Sequence, residues 1–470
     1  MIANALRQRG VTLVELLISI VLALLVMLGL VTLVNTVGVT NRTQDGMARM
    51  QENGRYAIDR IAQDIRAASS QYCSNFSAAA SELYVGGFSY NDRTRPITAH
   101  YHVNATGNDY VPPSPNPTSP IVFGPTLGAA PAANYLINNK YMLYGSECTN
   151  AACTPALTGV DRGFDPSIIA TMGIAAGNRA RGADVLTMRY LRGEGVAITA
   201  IANERVDGQP VRINADTTAL GMAGPGQAWI TDCSVSDVMR VNATAGLLTA
   251  SGNITDDTLN RVDITRDARV FNLLTDLTRV SYYLRVNDDT DPGRRPTDRK
   301  IVSLMRNENG NVQEIVQGVE RLDFLYGIED SFGRTRYLTA AEVDGLSTDA
   351  QCPPVPALPF GFVKSYWQAN PFYSGAAGGA PVFSQAFREP GCGWRAVRSI
   401  EVAMLLNSAT DAAVANDEQF RYSWLNDGTV NAANAFENPA TLGTLRNGLP
   451  PYRMLRREFR TLVALRSYNY

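Results

Sequence analysis

The organisation of the whole chain is predicted from a segment near its start, Arg7-Gln-Arg-Gly-Val-Thr-Leu-Val-Glu15. An apolar run begins within it at Val11 and continues to Val34, and Glu15 is the single charged residue in that run. About twenty apolar residues cross a bilayer as a helix, so the run is long enough to span a membrane. An ionised carboxylate in hydrocarbon costs about 3 kcal/mol or more. We therefore expect Glu15 to have a function and a charged partner.

Two ordinary interpretations of this stretch fit less well. A secretory signal peptide has an apolar core of roughly 7–15 residues and a small-residue cleavage site after it. The run here is longer, and no such site follows it. A plain signal anchor accounts for the basic residues Arg7 and Arg9 and for the span, but it leaves Glu15 unexplained.

The stretch resembles the class III signal of type IV prepilins, in which a short basic leader ends in glycine, here Gly10, and Val-Thr-Leu-Val-Glu-Leu-Leu-Ile-Ser follows. The resemblance implies that a prepilin peptidase cuts between Gly10 and Val11 and that Val11 is then N-methylated. It also implies that Glu15 pairs with the terminal amine of a neighbouring subunit during assembly. Such a pair is physically reasonable, because a buried carboxylate is tolerated when a cation lies within hydrogen-bonding reach. The family usually has phenylalanine where this chain has Val11.

Composition excludes several classes of function. The chain has 470 residues and a net charge of −2, so it is long enough for more than one domain and has no basic field for nucleic acid. The lysines, Lys140, Lys300 and Lys364, lie outside any phosphate-binding loop motif, which argues against a nucleotide hydrolase.

The six cysteines predict disulfides if the anchor exports the rest of the chain into an oxidising compartment. Six cysteines allow many pairings. We expect local pairs, and the predicted bonds are Cys148–Cys153, Cys352–Cys392 and Cys73–Cys233. A metal site is disfavoured, because no C-x-x-C spacing occurs and the cysteines do not alternate with histidines.

The apolar period continues beyond the membrane span. Apolar residues recur at three- and four-residue steps, charged residues fill the other faces, and no proline occurs before Pro96. One helix is therefore predicted from residue 12 to residue 69, with an apolar stripe that packs on the chain's own domain. The stripe is Met47, Met50, Ala57, Ile58, Ile61, Ile65 and Ala68, and the charged set is Arg49, Glu52, Arg55, Asp59, Arg60, Asp64 and Arg66.

The chain is thus divided into a leader at 1–10, a transmembrane helix at 11–34, its amphipathic continuation at 35–70, an irregular insertion region at 71–180, and a β-rich domain at 181–470 with an insertion at about 350–392. The irregular region holds a proline-rich loop at 111–120 and short strands at 82–85 and 97–103. In the β-rich domain, polar and apolar residues alternate in short segments, which predicts strands. These are 183–190, 195–201, 228–233, 237–241, 278–286, 301–306, 319–328, 397–406 and 457–466.

The predicted fold class is α+β, with a long helix packed on an antiparallel sheet, a second strand region and loop-rich insertions. If the helix covers one face of the sheet, the charged positions of the strands face solvent on the other. Those positions are Arg279, Glu320, Asp323, Arg398 and Glu401.

The strand segments carry a second resemblance. They include Tyr282-Tyr-Leu-Arg, Ser303-Leu-Met-Arg, Gly318-Val-Glu-Arg-Leu-Asp-Phe-Leu-Tyr-Gly, Trp394-Arg-Ala-Val-Arg-Ser-Ile-Glu-Val and Arg456-Arg-Glu-Phe-Arg-Thr-Leu-Val-Ala-Leu-Arg, with Gly182-Ala-Asp-Val-Leu-Thr-Met-Arg-Tyr and Thr231-Asp-Cys before them. Together they resemble the PilW group of minor pilins. The C-terminal half is also similar to the J pseudopilins of type II secretion. The likeness covers 1–70 and most of 180–470, and leaves both insertions without a counterpart.

Few residues point to catalysis or metal binding. His100 and His102 are the only histidines, and on a strand they would share a face. A zinc site needs further ligands, so we prefer to interpret them as a half-exposed strand pair. No G-x-S-x-G motif occurs.

One loop resembles a calcium site. Asn287, Asp289 and Asp291 stand at ligand positions 1, 3 and 5, but Pro292 replaces the glycine and Asp298 replaces the bidentate glutamate. A polar hairpin loop is the preferred interpretation, and the sequence predicts no catalytic residue, metal or cofactor.

The resemblances imply a structural, non-enzymatic minor pilin. It would be anchored by one helix in the inner membrane with its C-terminal domain in the periplasm, and would prime pilus assembly from the pilus tip, supporting twitching motility and adhesion. Its implied partners are the prepilin peptidase, other minor pilins, the major pilin and a large tip adhesin, and no nucleic acid is expected. Two alternatives stay open: a type II secretion minor pseudopilin, and a membrane-anchored periplasmic binding protein or enzyme housed in 70–180.

Overall fold

The computed structural model of the chain combines one long helix with antiparallel β-sheets. The residues that it describes are 12–68, 72, 83–85, 88–90, 98–99, 135–136, 142–149, 151–157, 171–202, 210–232, 236–250, 264–289, 299–329, 334–346, 392–408, 422–423, 436–437, 449 and 454–465.

The long helix, α1, spans Leu13–Ala67 and has 55 residues, which is about 80 Å at 1.5 Å per residue. It is continuous from the apolar run into the amphipathic stretch, as the unbroken period predicts. Within the described residues three short helices follow: α2 (Leu273–Asp276), α3 (Ala340–Leu346) and α4 (Cys392–Arg395), with a 3-10 turn at Ile264–Arg266.

The strands are numbered in chain order. They are β1 Leu83–Val85, β2 Phe88–Tyr90, β3 Thr98–Ala99, β4 Tyr135–Leu136, β5 Leu143–Cys148, β6 Cys153–Thr154, β7 Val185–Leu191, β8 Val196–Ala197, β9 Ala200–Ala202, β10 Arg212–Asn214, β11 Gly224–Thr231, β12 Ser236–Thr244, β13 Leu247–Ala250, β14 Arg269–Asn272, β15 Leu277–Asp288, β16 Lys300–Glu308, β17 Asn311–Gln317, β18 Val319–Glu329, β19 Thr335–Leu338, β20 Val397–Asn407, β21 Tyr422–Ser423, β22 Phe436–Glu437 and β23 Arg456–Ala464.

A six-stranded antiparallel sheet, in the order β17-β16-β15-β7-β5-β6, lies beside α1. Its register places Tyr282 on β15 directly opposite Arg306 on β16 and Leu186 on β7. Successive residues of a strand point to opposite faces. One face of this sheet therefore presents Tyr282, Arg306 and their i±2 neighbours together.

A four-stranded antiparallel sheet, in the order β19-β18-β20-β23, completes the cover around α1. The largest core lies between α1 and these two sheets, and it includes Ala57, Ile61 and Ile65 from the helix. The apolar stripe from Met50 to Ala68 therefore packs on the chain's own domain, whereas Met47, predicted as part of the stripe, is 40% exposed. The predicted α+β class is confirmed.

A nine-stranded sheet forms a second region with its own core. Its main path is β8-β14-β11-β12-β13-β10-β9. β3 pairs with β12 in parallel, and β4 pairs with β3. A small cluster with Trp229 on β11, Phe271 on β14 and Leu277 on β15 connects this region to the six-stranded sheet.

The prediction that the charged strand positions face solvent is wrong for three of them: Arg279, Glu320 and Asp323 are between 3% and 9% exposed. Glu320 accepts hydrogen bonds from both Nε (2.6 Å) and Nη2 (3.0 Å) of Arg456. Asp323 pairs with Arg321 at 2.9 Å. Alternation identifies the face of a strand on which a residue lies, but it does not reveal whether that face is covered.

Candidate functional site

The first half of α1 has no partner among the residues that the structure describes. From Leu13 to Val39 every side chain is exposed, including the large apolar ones. This is the one described helix long and apolar enough to cross a membrane. An apolar surface of this size calls for a membrane or another protein to cover it.

The helix begins with a capping box formed by Thr12 and Glu15. The Glu15 backbone N–H donates to Thr12 Oγ1 at 3.3 Å, and Glu15 Oε2 accepts from the Thr12 backbone N–H and hydroxyl, each at 3.0 Å. These bonds satisfy donors that a helix start otherwise leaves free. Glu15 is therefore held at the first turn, and its side chain remains exposed.

The second half of α1 is fixed to the domain by close packing. Met50 and Ala57 are buried against the sheets. At Gly54 the helix passes so near β23 that a Cβ would lie 2.5 Å from the Phe459 ring. The glycine thus allows the close approach of helix and strand, although it weakens the helix itself.

A buried polar cluster adds a specific lock between α1 and the six-stranded sheet. Asp64 on α1 is 4% exposed and Arg306 on β16 is 1% exposed. Arg306 donates from Nε to Asp64 Oδ2 at 2.7 Å and from Nη2 to Asp64 Oδ1 at 3.2 Å. The hydroxyls of Tyr282 (2.6 Å, to Oδ2) and Tyr190 (3.1 Å, to Oδ1) donate to the same carboxylate. Asp64 thus receives four hydrogen bonds from three strands.

The cluster extends to the edge of the sheet through a second acid. Arg306 Nη1 also pairs with Glu308, and Glu308 Oε1 accepts from Arg192 Nη2 at 2.7 Å. Positive and negative groups alternate from the core outwards, so each buried charge has an opposite neighbour.

The electrostatics favour the charged forms of the guanidinium and of the outer acid. Burial lowers the pKa of Arg306, but its bonds to Asp64 and Glu308 outweigh burial and raise it above its ordinary value. Burial raises the pKa of Glu308, but bonds from Arg306 and Arg192 hold it below its ordinary value. Burial and the Asp64 carboxylate raise the pKa of the Tyr282 hydroxyl, which stays protonated as a donor.

The predicted site residues fall partly within the described chain. Glu15 lies in the first turn of α1, whereas Gly10 and Val11, the predicted processing site, lie outside the described residues. Cys148 and Cys153 form the expected disulfide. Cys392 is the first residue of α4, and Cys73, Cys233 and Cys352 lie outside the described residues, as do His100 and His102.

The calcium-like loop is only partly described. The Asn287 amide donates to Ser303 Oγ at 2.9 Å and to Glu314 Oε2 at 2.8 Å, and Asp289 pairs with Arg299. Asp291 lies outside the described residues. Within the described part of the chain, no three histidine, cysteine or acidic side chains gather where a metal could bind.

Two residues of the site were missed from the sequence, although each had a signal. Thr12-Leu-Val-Glu15 has the Thr-x-x-Glu spacing of a capping box. Asp64 was assigned to the charged faces of the helix, and the structure corrects this assignment. It lies three residues after Ile61 and four before Ala68, a spacing that places it on the buried side.

Comparison with known families agrees with this architecture. Residues 281–467, which contain Tyr282 and Arg306, match the family described as type IV pilus-assembly protein W. Residues 6–31, which contain Glu15, match the prokaryotic N-terminal methylation motif. No curated protein and no solved structure matches the chain. The chain therefore carries a prepilin-like methylation motif and is similar to the PilW family over residues 281–467, so both of these resemblances are confirmed over the matched residues. The segments at 182–190 and 231–233 lie outside the match, and the likeness to J pseudopilins stays a prediction.

Proposed function

We propose that this protein is a minor pilin that helps to prime type IV pilus assembly and lies in the tip complex of the pilus. The two family matches support a role in the type IV pilus. Priming, tip placement, twitching motility and adhesion are the finer parts of the proposal. In this role the protein is structural and catalyses no reaction.

The observation that carries the proposal is the division of α1 into two halves. The half from Leu13 to Val39 is free and apolar, and the half that holds Asp64 is locked into the domain. Because the helix is continuous, a lateral contact made by the free half fixes the position of the whole domain. Such rigid attachment of the domain to the helix suits a filament subunit whose helix position determines where its large exposed domain lies.

In this proposal Glu15 fixes the position of the free half of α1 along the helix of a neighbouring subunit. The Thr12 bonds satisfy part of the Glu15 carboxylate, and a cation from a neighbour would satisfy the remainder. The prepilin resemblance supplies that cation as the amine of Val11 in another subunit. Leaving the charge unpaired in hydrocarbon costs about 3 kcal/mol or more, so assembly with the acid and the amine in register is favoured.

The proposed location and partners follow from this arrangement. The helix anchors the protein in the inner membrane before assembly, and the β-rich domain lies in the periplasm. Prepilin peptidase processes the leader, and other minor pilins and the major pilin pack on α1. The six-, four- and nine-stranded sheets add bulk that the end of a filament accommodates most easily, and this end is where a large tip adhesin would be held.

The test separates the charge of Glu15 from its capping role. Glu15→Gln keeps the capping box, because glutamine also serves at this position, but it removes the charge. We expect Glu15→Gln and Glu15→Ala to insert into the membrane normally and to lose incorporation into sheared pili. Ser19→Ala is the control, since the Ser19 hydroxyl donates only to the Glu15 carbonyl of its own helix at 2.7 Å. Normal piliation with Glu15→Gln would contradict the proposed pairing.

A further inference from the structure

The disulfide between Cys148 and Cys153 has a buried cation against it. Cys148 ends β5 and Cys153 begins β6. Arg179, from the loop that precedes β7, is 5% exposed. Its Nη1 lies 3.4 Å from Cys148 Sγ and its Nη2 lies 3.2 Å from Cys153 Sγ. One guanidinium therefore spans both sulfurs.

This is a poor environment for an arginine as long as the disulfide is intact. Among the described residues, the two sulfurs are the hydrogen-bond acceptors that its guanidinium finds, and Nε has none. A neutral disulfide sulfur is a weak acceptor compared with an anion. Burial lowers the pKa of Arg179 to about 10, although the charge of Asp184 opposes this effect.

The nearby acid does not relieve the arginine by direct pairing. Asp184 accepts from the backbone N–H of Cys148 at 2.9 Å and from that of Phe324 at 3.1 Å. Both of its oxygens thus tie β5 to β18. The guanidinium of Arg179 therefore donates to the two sulfurs, and its hydrogen bonds would become stronger if one of them were a thiolate.

We propose that Cys148–Cys153 is a site of thiol–disulfide exchange with a dithiol, and that Arg179 stabilises the thiolate that leaves. Cys153 is half-buried and Cys148 is 6% exposed, so Cys153 Sγ is the sulfur that is attacked. The incoming thiolate bonds to Cys153 Sγ, the bond between Cys148 and Cys153 breaks, and Cys148 leaves as a thiolate beside Arg179. The second thiol of the dithiol then displaces Cys153, so two electrons pass to the protein and the dithiol becomes a disulfide.

The equilibrium test uses the full-length protein in detergent micelles. The wild-type protein and Arg179→Met are equilibrated with mixtures of reduced and oxidised dithiothreitol, quenched with acid and alkylated. Mass spectrometry then quantifies the peptides of Cys148 and Cys153 separately from those of the other cysteines. Arg181→Met, two residues along the same segment and half-buried, is the matched control.

We expect Arg179→Met to lower the equilibrium constant for reduction of this disulfide roughly tenfold to a hundredfold, because a charge-assisted bond to a thiolate is lost. Arg181→Met should match the wild type. Equal constants for Arg179→Met and the wild type would overturn the proposal.

A second measurement needs no variant. Reduced glutathione is added to the wild-type protein in large excess, and the mixture is quenched with acid before the Cys148 thiolate can expel the glutathione again. The mixed disulfide that is trapped should lie on Cys153, and a mixed disulfide trapped on Cys148 instead would also overturn the proposal.

Discussion

Asp64→Ala is the substitution that most directly tests how the long helix is held. It removes the only buried acid that α1 presents to the six-stranded sheet among the described residues. Arg306, 1% exposed, then keeps one acidic partner, Glu308, at the edge of the cluster. The Tyr282 and Tyr190 hydroxyls lose the carboxylate that they donate to.

The expected loss of stabilising free energy is large for a single substitution. Breaking a buried ion pair by removing one partner costs about 3–5 kcal/mol, because the remaining charge stays desolvated. Each tenfold change in an equilibrium constant corresponds to about 1.4 kcal/mol. Opening of the docked half of α1 should therefore become more frequent by a factor of about 10² to 4 × 10³.

Hydrogen exchange measures this opening locally. In the full-length protein in micelles, the amides of residues 61–67 should exchange faster in Asp64→Ala by that factor. Asp59→Ala is the matched control: Asp59 is exposed on the same helix and accepts from the Gln63 amide at 2.9 Å. Exposed substitutions of this kind change stability by at most about 0.5 kcal/mol.

A double substitution identifies the cause of the loss. Asp64→Leu combined with Arg306→Met removes both charges, so it should recover much of the protection that Asp64→Ala loses. The Asp64–Arg306 pair would not hold the helix to the sheet if the amides of residues 61–67 exchanged equally fast in Asp64→Ala and Asp59→Ala. The same would follow if the double variant lost as much protection as Asp64→Leu and Arg306→Met together lose singly.

Two further substitutions test the packing and the charge of the same region. Gly54→Ala should lower the melting temperature, because the added methyl meets the Phe459 ring and overpacking costs about 1–3 kcal/mol. Gly38→Ala is the control: a Cβ there has nothing within 4 Å, and the substitution should gain up to about 1 kcal/mol of helix propensity. Equal melting temperatures for the two variants would contradict the close approach at Gly54. The pKa of Glu308 is held below its ordinary value of 4.5 in the folded protein, so its stabilising contribution is present above that value and is lost as pH falls through the folded pKa. The urea midpoints of the wild type and Glu308→Gln should therefore differ near neutral pH and converge at pH values below the folded pKa, and a difference that grows on acidification would refute the assignment.

Much of the architecture was predictable because strong periodic signals agree with the tertiary structure. The helix was predicted at 12–69 and is found at Leu13–Ala67. The strand predicted at 319–328 is found at Val319–Glu329, and that at 397–406 is found at Val397–Asn407. These segments are long, and their apolar faces are the ones that form the core.

What was missed depends on contacts that no local pattern encodes. β5, Leu143–Cys148, lies within the region predicted as an irregular insertion, yet it pairs with β7 in the main sheet. Gly145 interrupts its strand pattern because the Tyr326 hydroxyl occupies the place of a Cβ. Buried acids such as Asp64 and Glu320 look like surface residues until their arginine partners, far along the chain, are brought beside them.

We infer that the N-terminal segment, residues 7–15, is both a processing signal and an assembly element. N-terminal mass spectrometry of this protein, recovered from sheared and washed pili, tests both roles at once. We predict a mature chain that begins with N-methylated Val11. A chain in pili that still carries residues 1–10, or its absence from pili that are otherwise normal, would contradict the account.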